Sequence, residues 1–438
     1  MTNEMERAAS LTRELLDFID DSPVSYWVVQ NVIRRLEDAG YRRFDLQEGS
    51  LLPGGKYYLT RNGASIIAFR LPEENPSGFL VAASHCDSPL FKIKTNYAVK
   101  ACDRYLKLDT EPYGGGIFAS WFDRPLSIAG RVIVREDGCL KARPVKIDRD
   151  LCIIPNTCIH FNRDINSGYT YNAAVDTLPL LGAWTDAPVL ADMVAENLEI
   201  TTDSIVSMDL FLYNRTRGTI LGNGNEFFGA PRIDDQQCVF AMMKAFLESG
   251  DSRGIPVLAI FDNEEVGSQT KQGAASDMLH DVLERIALVY NRPLSALLPA
   301  SLMLSCDNAQ AMHPNHPELS DALNAPHMNE GVVIKHNVSM RYTTDVVSEA
   351  LFLEICRKAN IPVQHFANRS DLKGGTTLGT IAASRVSMNA IDIGLAQLAM
   401  HSSYETAGIK DTAYLVDACT AFFTTVIRCK ADGEFIVE

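Results

Sequence analysis

FLVAASHCDSP (79–89) and four comparable stretches decide the fold of this chain of 438 residues. The other four are APRIDD (230–235), LAIFDNEEVGS (258–268), SLMLSCDNAQAMHPN (301–315) and AQLAMHSSYET (396–406). The runs FLVAAS, PVLAIFD and SLMLSC are continuously apolar, which is typical of strands buried on both faces of a parallel sheet. Each run is followed within two residues by His85, by Glu264–Glu265 or by Asp307. Open α/β sheets bind ligands beyond the carboxyl ends of their strands, so these side chains and the later His401 suggest the ligand set of a two-metal hydrolase.

Composition places the chain among ordinary soluble globular proteins. Hydrophobic residues make up 46% and charged residues 22% of the sequence, and the length favours two or three domains. A net charge of −15 argues against nucleic-acid and anionic-membrane partners, which usually require a basic patch. No apolar run reaches the about 18 residues of a transmembrane helix, and residues 1–21 lack the pattern of a secretory signal. The ten cysteines include no CxxC pair, so we expect reduced, mostly buried thiols in a cytoplasmic protein.

Hydrophobic periodicity changes twice along the chain. Before residue 90 it predicts helices over 5–20 and 25–39 and strands over 56–60, 65–70 and 79–84. Residues 91–219 contain short β-like runs separated by turn signals such as PYGGG, with one helical stretch near 186–198. Beyond 226 the pattern predicts helices over 235–249, 275–290, 344–359, 375–384 and 408–430, and strands over 256–262, 301–306 and 388–393. We therefore predict an α/β domain with a mostly parallel central sheet flanked by helices (1–90 and 220–438), interrupted by a β-rich inserted dimerisation domain (91–219).

His85 and Asp87 stand one residue apart just beyond a predicted buried strand. A histidine that binds a metal needs its second ring nitrogen held by a partner, often a carboxylate. Asp87 supplies that partner if the turn brings it back towards His85. A capped turn before Pro89 is the alternative interpretation.

Glu264 and Glu265 give a more specific signal. Two adjacent carboxylates at the end of an apolar strand repel each other unless a cation lies between them. Since adjacent side chains diverge, one glutamate can bind a metal while the other accepts a proton from water. A solvated acidic loop is the alternative, although the apolar run before the pair predicts burial.

Asp234, Asp307 and His401 are weaker signals when each is taken alone. Asp234–Asp235 opens a predicted helix, so helix capping competes with a role as a carboxylate that bridges two cations. A turn explains Asp307 equally well, and a hydrogen-bonded core histidine explains His401. Because every one of these signals falls at a strand end or a helix start, independent coincidence is a poor explanation of the set.

The sequence closely resembles the aspartyl aminopeptidase family of dinuclear zinc metallopeptidases. The similarity covers nearly the whole chain and follows one order. The matching motifs are SPVSYWVVQNVIRRLEDAGY (22–41), SHCDSP (84–89), YGGGIFASWFDRPLSIAG (113–130), APRIDD (230–235), DNEEVGS (262–268), DNAQAMHPN (307–315), VIKHNVSMRYTT (333–344), GGTTLGTIAASR (374–385) and LAMHSSYET (398–406).

The resemblance implies a dinuclear zinc centre, with Co²⁺ or Mn²⁺ as substitutes. One zinc ion would be bound by His85 and Asp307, the other by Glu265 and His401, and Asp234 would bridge the two. Asp87 would orient His85, and Glu264 would be the general base.

The resemblance also implies a substrate site and an assembly. Lys335 and Tyr342 match positions that hold the acidic side chain of the substrate. His160 matches a histidine that reaches the active site of a neighbouring subunit and stabilises the oxyanion there. Family members form a tetrahedral dodecamer, with the inserted domain making the dimer contacts.

Four positions depart from the family's pattern. Cys86 stands where threonine is usual, and Asp235 stands where asparagine is usual. The added charge of Asp235 either strengthens cation binding or caps the helix. Gln310 occupies a position where some relatives carry a histidine that contacts substrate, and Lys373 a position where relatives have a small residue. We expect Gln310 to line the substrate site, and both residues to affect substrate preference more than chemistry.

The sequence thus predicts a metallo-aminopeptidase that removes N-terminal Asp or Glu from peptides. One alternative is an aminopeptidase of broader specificity, or a deacylase, with the same dimetal core. The other is a non-catalytic assembly protein on this fold, against which the complete ligand set and Glu264 argue.

Overall fold

The computed structural model describes residues 3–47, 49–186 and 189–438. The helices in these ranges are α1 (Asn3–Asp21), α2 (Ser25–Asp38), α3 (Val189–Leu198), α4 (Ile233–Glu248), α5 (Met278–Val289), α6 (Val346–Ala359), α7 (Leu378–Arg385) and α8 (Ile409–Thr424). In α1 the apolar side chains Leu11, Leu15 and Phe18 recur at helical spacing and are buried. Part of the helix predicted near 186–198 falls on residues 187 and 188, which lie outside the described residues.

The strands of the first half are β1 (Arg42–Arg43), β2 (Lys56–Arg61), β3 (Ser65–Arg70), β4 (Phe79–His85), β5 (Leu90–Ala101), β6 (Tyr105–Tyr113), β7 (Leu126–Glu136), β8 (Cys139–Lys146), β9 (Leu180–Ala183) and β10 (Ile205–Asn214). Those of the second half are β11 (Thr219–Leu221), β12 (Phe227–Ala230), β13 (Ile255–Phe261), β14 (Leu302–Cys306), β15 (Ala309–Gln310), β16 (Val332–His336), β17 (Val363–Ala367), β18 (Asn389–Gly394), β19 (Ala396–Leu398), β20 (Glu405–Gly408), β21 (Ile427–Ala431) and β22 (Glu434–Val437).

The central sheet has the strand order β1-β2-β3-β13-β4-β14-β18-β16-β17 within the described residues. Its middle strands β13, β4, β14 and β18 are parallel to one another. Antiparallel pairings join β13 to β3 and β18 to β16. The predicted α/β fold with a mixed, mostly parallel sheet is confirmed.

Helices cover both faces of this sheet, as an all-buried parallel sheet requires. Along β4 the side chains alternate between two cores. Leu80 and Ala82 belong to the core that includes residues of α4 and α8. Val81 and Ala83 belong to the core that includes residues of α5 and α7. The continuous apolar run of β4 therefore reflects burial from two sides.

A separate antiparallel sheet has the order β8-β7-β10-β5-β6-β9 in the described part of the chain. Its strands all lie between Leu90 and Asn214, where the sequence predicts a β-rich insertion. A third, small sheet has the order β11-β12-β20-β19-β15 and carries chain from the second half.

The sequence prediction was wrong at the end of the chain. The predicted helix over 408–430 stops at Thr424, and Ile427–Ala431 forms a strand that pairs with Glu434–Val437. The helix leads into Thr425, whose backbone is extended, and β-branched residues such as Thr424, Thr425 and Val426 favour extended structure. Strands β16 and β17 were not predicted, and both join the central sheet.

Six cysteines are buried, as expected for structural thiols: Cys86, Cys152, Cys238, Cys306, Cys356 and Cys419. Three others, Cys102, Cys139 and Cys158, are exposed free thiols. None of the helices in the described ranges combines the length and the apolar character that crossing a bilayer requires.

Candidate active site

The central sheet brings the predicted ligands to one edge. His85 is the last residue of β4, Glu265 follows β13 in a short 3₁₀ turn, and Asp307 follows β14 directly. Strands β13 and β14 flank β4 on its two sides, and Phe261 is paired with His85 in the register. Asp234 lies at the start of α4, and His401 lies between β19 and β20.

Asp234 stands at the centre of the group. Its Oδ1 lies 3.4 Å from Nε2 of His85, and its Oδ2 lies 3.5 Å from Nε2 of His401. Nε2 of His401 is also 3.5 Å from Oε2 of Glu265. Each carboxylate oxygen of Asp234 therefore faces a different histidine, which is the arrangement of a carboxylate bridging two cations.

Two overlapping groups of donor atoms share Asp234. His85, Asp234 and Glu265 place one donor atom each within 4.8 Å of one another, and so do Asp234, Asp235 and Asp307. All five predicted metal ligands thus lie together. Asp235 joins them as an additional carboxylate.

The two histidines present the same ring nitrogen to the centre. Nδ1 of His85 lies 3.1 Å from the carbonyl oxygen of Asp87, and Nδ1 of His401 lies 3.0 Å from that of Gly115. A carbonyl oxygen can only accept a hydrogen bond, so each Nδ1 must carry the proton. The unprotonated Nε2 is then free to bind a metal ion. Such a partner for the second nitrogen is typical of metal-binding histidines.

Asp87 has a wider role than the sequence predicts. Its carboxylate lies 3.6 Å from Nδ1 of His85, farther away than its own backbone carbonyl. The carboxylate accepts hydrogen bonds from the backbone N–H groups of Glu264 and Glu265, at 3.1 and 3.2 Å, and from the Tyr113 hydroxyl at 2.7 Å. Asp87 therefore positions the turn that carries both glutamates as well as the His85 ring.

Electrostatics at the centre favour a bound cation. Burial raises the pKa of Glu264 to about 8, although nearby His85 acts in the opposite direction. Burial also raises the pKa of Glu265 well above its ordinary value, and the charge of Asp234 adds to this shift. Divalent cations stabilise ionised carboxylates and so lower such pKa values.

The donor atoms present fit zinc. Oδ1 of Asp234 and Oε1 of Glu265 are buried and have no hydrogen-bond partner among the described residues. Bonds of about 2.0–2.1 Å in a tetrahedral site put two ligand atoms about 3.3–3.4 Å apart. The separations of 3.4 and 3.5 Å measured at Asp234 are close to that value. Imidazole nitrogens and carboxylate oxygens are both ordinary zinc ligands.

Asp234 and Asp235 do not act as helix caps. Both depart from helical backbone angles, and the start of α4 forms no side-chain capping hydrogen bond. The Ser84 hydroxyl donates to Asp235, which is fully buried. Cys86 packs its thiol against the carbonyl oxygens of Ala64 and Phe261, at 3.2 Å each, and burial raises its pKa.

A cavity of about 340 Å³ opens beside the centre. Lys335, Tyr342, Gln310 and Lys373 line it together with Glu264. Lys335 is only 3% exposed, so its charge lies in the interior and not at the surface. Burial lowers the pKa of Lys335, but the neighbouring acidic groups, with Asp307 the strongest, together raise it above the ordinary value.

The ammonium group of Lys335 is held in the cavity wall. Its Nζ donates to the carbonyl oxygen of Asn308 at 2.7 Å and lies 3.3 Å from Oδ1 of Asp307. Nζ also lies 5.6 Å from the centre of the Tyr342 ring. A lysine has three N–H donors, so one remains for a ligand in the cavity. Gln310 and Lys373 are exposed at the same cavity.

His160 is not brought to this centre by its own chain. It lies in an exposed turn, and the described residues that line the cavity do not include it. The neighbouring side chains Ile159 and Phe161 are 50% and 87% exposed.

Sequence reasoning missed several supporting residues. Glu405 is buried and accepts hydrogen bonds from the backbone N–H groups of Asp234, at 3.0 Å, and of His401, at 2.7 Å. Gly114, with a positive φ of 73°, brings the backbone so close that an added Cβ would lie 3.1 Å from Cβ of Glu265. Tyr113 and Gly115 also come from the insertion, where the sequence marks PYGGG as a turn and as part of a family motif but assigns neither residue a role at the site. The sequence shows only that Glu405 lies four residues after His401 in the motif LAMHSSYET, and it does not reveal that this carboxylate is buried.

Comparison with known proteins identifies relatives along almost the full length. The family model described as Aminopeptidase I zinc metalloprotease (M18) matches residues 18–423. A probable M18 family aminopeptidase 2 of Clostridium acetobutylicum is 41% identical over 435 residues, which are 97% of this chain and 100% of the relative.

Solved structures agree with this match. A chain from a cryo-EM structure of the Ape4 and Nbr1 complex aligns with a TM-score of 0.93 and 33% identity, covering 97% of this chain and 87% of that chain. The mApe1 dodecamer of S. cerevisiae aligns with a TM-score of 0.82 and 29% identity, covering 94% and 95%. The matched residues 18–423 include the whole cluster around Asp234. The chain therefore belongs to the M18 family of zinc metallo-aminopeptidases.

Proposed function

We propose that this enzyme removes N-terminal Asp or Glu from peptides with a dinuclear zinc centre. His85 and Asp307 would hold one zinc ion, Glu265 and His401 would hold the other, and Asp234 would bind both. The orientation of the two oxygens of Asp234 towards different histidines supports this assignment. Bound zinc supplies Lewis-acid polarisation of the scissile carbonyl and lowers the pKa of the attacking water.

Glu264 is the general base in this proposal. It lines the cavity beside the metal ligands, and its backbone N–H is held by Asp87. Glu264 accepts a proton from the attacking water and later delivers it to the leaving amine. We expect Glu264→Gln to abolish turnover while the zinc content per chain stays near normal. Near-normal turnover in this variant would refute the role.

The preference for an acidic first residue is carried by one observation. Lys335 is a buried cation in the cavity wall, adjacent to Asp307, with an N–H donor to spare. A carboxylate on the substrate's first side chain pairs with this ammonium group. Tyr342 also lines the cavity and packs edge-on against Phe366, at 6.1 Å between ring centres.

The test compares kcat/KM on Asp-, Glu-, Leu- and Ala-anilides for the wild type and for Lys335→Met. A hydrogen bond to a charged group contributes about 1.5–3 kcal/mol, so we expect the Asp-to-Leu ratio to fall by about 10- to 100-fold. This ratio cancels any general loss of activity from disturbing Asp307. Lys373→Met is measured beside it, because Lys373 is the competing cation at an exposed position of the same cavity, and we expect a smaller fall of the ratio than in Lys335→Met.

A wild-type enzyme that prefers Leu would exclude acidic specificity and would favour the broader aminopeptidase or deacylase. An equal fall of the ratio in Lys373→Met would assign the selection to the exposed part of the cavity.

Assembly is part of the same proposal. We infer that the insertion (91–219) forms dimer contacts, that dimers build a dodecamer, and that His160 enters the neighbouring active site to stabilise the oxyanion. The exposed Ile159 and Phe161 beside His160 support a subunit contact there. The mApe1 relative is a dodecamer, which supports the same assembly for this chain.

A further inference from the structure

A second group of metal-binding side chains lies outside the candidate active site. His336, Glu349 and His365 each offer one donor atom, and the three atoms lie within 4.8 Å of one another. His336 ends β16, His365 lies within β17, and Glu349 lies in the first turn of α6. The active-site chemistry uses none of the three.

The three donor atoms form a nearly equilateral triangle. Nε2 of His336 lies 3.3 Å from Oε1 of Glu349, and Nδ1 of His365 lies 3.5 Å from the same oxygen. The two ring nitrogens are 3.4 Å apart. Ligand atoms at bond lengths of about 2.0–2.1 Å around a tetrahedral ion lie about 3.3–3.4 Å from one another. All three sides of the triangle therefore fit one common ion.

Hydrogen bonding alone explains the triangle poorly. If Glu349 accepted from both rings at once, both facing nitrogens would carry protons, and two N–H dipoles would lie side by side at 3.4 Å. A cation removes this conflict because it uses the lone pairs of both nitrogens and the carboxylate together.

Regular structure fixes all three positions. Strands β16 and β17 are parallel neighbours, with Ile334 paired to His365 and His336 paired to Ala367. Asp345 caps α6 through a capping box, which sets the first turn that carries Glu349. Sites built on strands and helices hold their geometry better than sites built on loops.

The group lies on the reverse face of the strands that form the substrate cavity. Lys335 and Phe366 are paired in the register and line the cavity. Because successive strand residues point to opposite faces, His336 and His365 point away from it. Their side chains are 34% and 44% exposed, so solvent can complete the coordination of an ion there.

We propose that His336, Glu349 and His365 form an additional site for a divalent transition metal, of the zinc class, on the outer face of β16 and β17. Two imidazole nitrogens select zinc, cobalt, nickel or copper over calcium and magnesium, which take oxygen ligands. Three protein ligands leave a fourth position for water. The inference does not depend on the substrate or on the residues of the dinuclear centre.

Equilibrium dialysis against a series of free zinc concentrations, followed by elemental analysis, tests this site in the intact enzyme. The variants are His365→Ala and Glu349→Gln, and the matched control is His280→Ala, an exposed histidine 3.9 Å from Asp281. We expect the wild type and the control to bind one more zinc ion per chain than His365→Ala. Glu349→Gln should need at least about tenfold more free zinc to fill the site, since neutral glutamine is a weaker ligand.

A second measurement guards against misfolding of a variant. Excess zinc should raise the unfolding temperature of the zinc-loaded wild type and of the control more than that of Glu349→Gln, because binding to the native state alone stabilises it. Equal zinc stoichiometry in the wild type and His365→Ala, at every free zinc concentration, would overturn the inference. Because the experiment measures bound metal and not hydrolysis, its result tests this inference independently of the proposed function.

Discussion

At the scale of single residues, Glu405 connects two of the proposed metal ligands, Asp234 and His401, which lie far apart in the sequence. One of its oxygens accepts from the backbone N–H of Asp234 and the other from that of His401. Burial raises the pKa of Glu405 to about 8, and the charge of Asp234 adds to this shift. The carboxylate thus holds two of the proposed metal ligands through their backbone N–H groups.

We expect Glu405→Gln to weaken metal binding. A glutamine has one carbonyl oxygen in place of two carboxylate oxygens, so either Asp234 or His401 loses the acceptor for its N–H. Loss of such outer support costs about 10- to 100-fold in metal affinity. Competition with a chromogenic chelator measures the zinc dissociation constant directly.

The matched control for this experiment is Glu226→Gln, since Glu226 precedes β12, the strand that pairs with β20. Its carboxylate accepts from the backbone of Gly224 at 2.9 Å. Zinc affinity should be unchanged in that variant. An equal zinc affinity in Glu405→Gln and the wild type would exclude a positioning role.

The residue scale also shows what a sequence can predict of this site. His85, Glu265 and Asp307 follow apolar runs, and the rule that ligands gather at strand ends is enough to select them. Glu405 has backbone partners 171 and 4 residues away, and any residue type offers a backbone N–H. The residues around Glu405 in the sequence therefore give no indication that it contacts Asp234.

At the scale of elements, Asp411 links helix α8 by hydrogen bonds to the segment that precedes β16. Its oxygens accept from the backbone N–H groups of Asn329, at 2.6 Å, and Gly331, at 3.2 Å. Asp411 is fully buried, and burial raises its pKa to about 7. Lys410 acts against this shift and Glu330 adds to it.

This raised pKa makes stability depend on pH in a defined window. Between about pH 4, the ordinary carboxyl value, and about pH 7, the native state holds a proton that the unfolded chain has released. The contribution of Asp411 to the free energy of unfolding is therefore fully present below pH 4 and falls as pH rises to 7. The total change is of the order of a few kcal/mol.

We expect Asp411→Asn to remove this part of the pH dependence. The variant should be less stable overall, by about 1–3 kcal/mol, because one backbone N–H loses its acceptor. Denaturant midpoints measured from pH 4 to pH 8 in the variant and the wild type give the difference, in which effects common to both proteins cancel. Asp417→Asn, an exposed position on the same helix, is the control. If the stability of Asp411→Asn changes with pH in parallel with that of the wild type from pH 4 to pH 8, the prediction is contradicted.

Elements were predictable where one periodicity covers them entirely. The buried strands β4, β13 and β14 are continuous apolar runs, and the sequence predicts each within about one residue. The sequence did not predict strand β16, because VVIKH ends in two charged or polar residues. Only the fold shows that Lys335 is buried. The end of α8 was missed because the apolar run AFFTTVI continues without Gly or Pro from the helix into β21.

At the scale of the whole molecule, the insertion takes part in the active site of its own chain. Gly115 accepts from His401, and the Tyr113 hydroxyl donates to Asp87 while accepting from Asn263 at 2.8 Å. The segment PYGGG therefore connects the β-rich sheet to the proposed metal-binding residues. A sequence pattern could assign this segment to a turn, but its contacts depend on how the insertion packs against the central sheet.

The proposed role of His160 predicts activity from two inactive variants. In a symmetric dimer each subunit gives its His160 to the other active site. His160→Ala alone should lower kcat by about 10²–10³-fold, as expected for the loss of one oxyanion donor. Glu264→Gln alone should be inactive. In a mixed dimer, the active site of the His160→Ala chain keeps Glu264 and receives His160 from its partner.

Co-expression of these two variants tests the exchange. Random pairing should restore about a quarter of the wild-type sites, because about half of the dimers are mixed and each holds one complete site. As the control, the double variant His160→Ala/Glu264→Gln co-expressed with His160→Ala should restore nothing, since no chain supplies His160. If the mixed oligomers are no more active than the average of the two separate variants, His160 does not act across the subunit boundary. The exposed Ile159–Phe161 segment would then be a surface feature without a catalytic role.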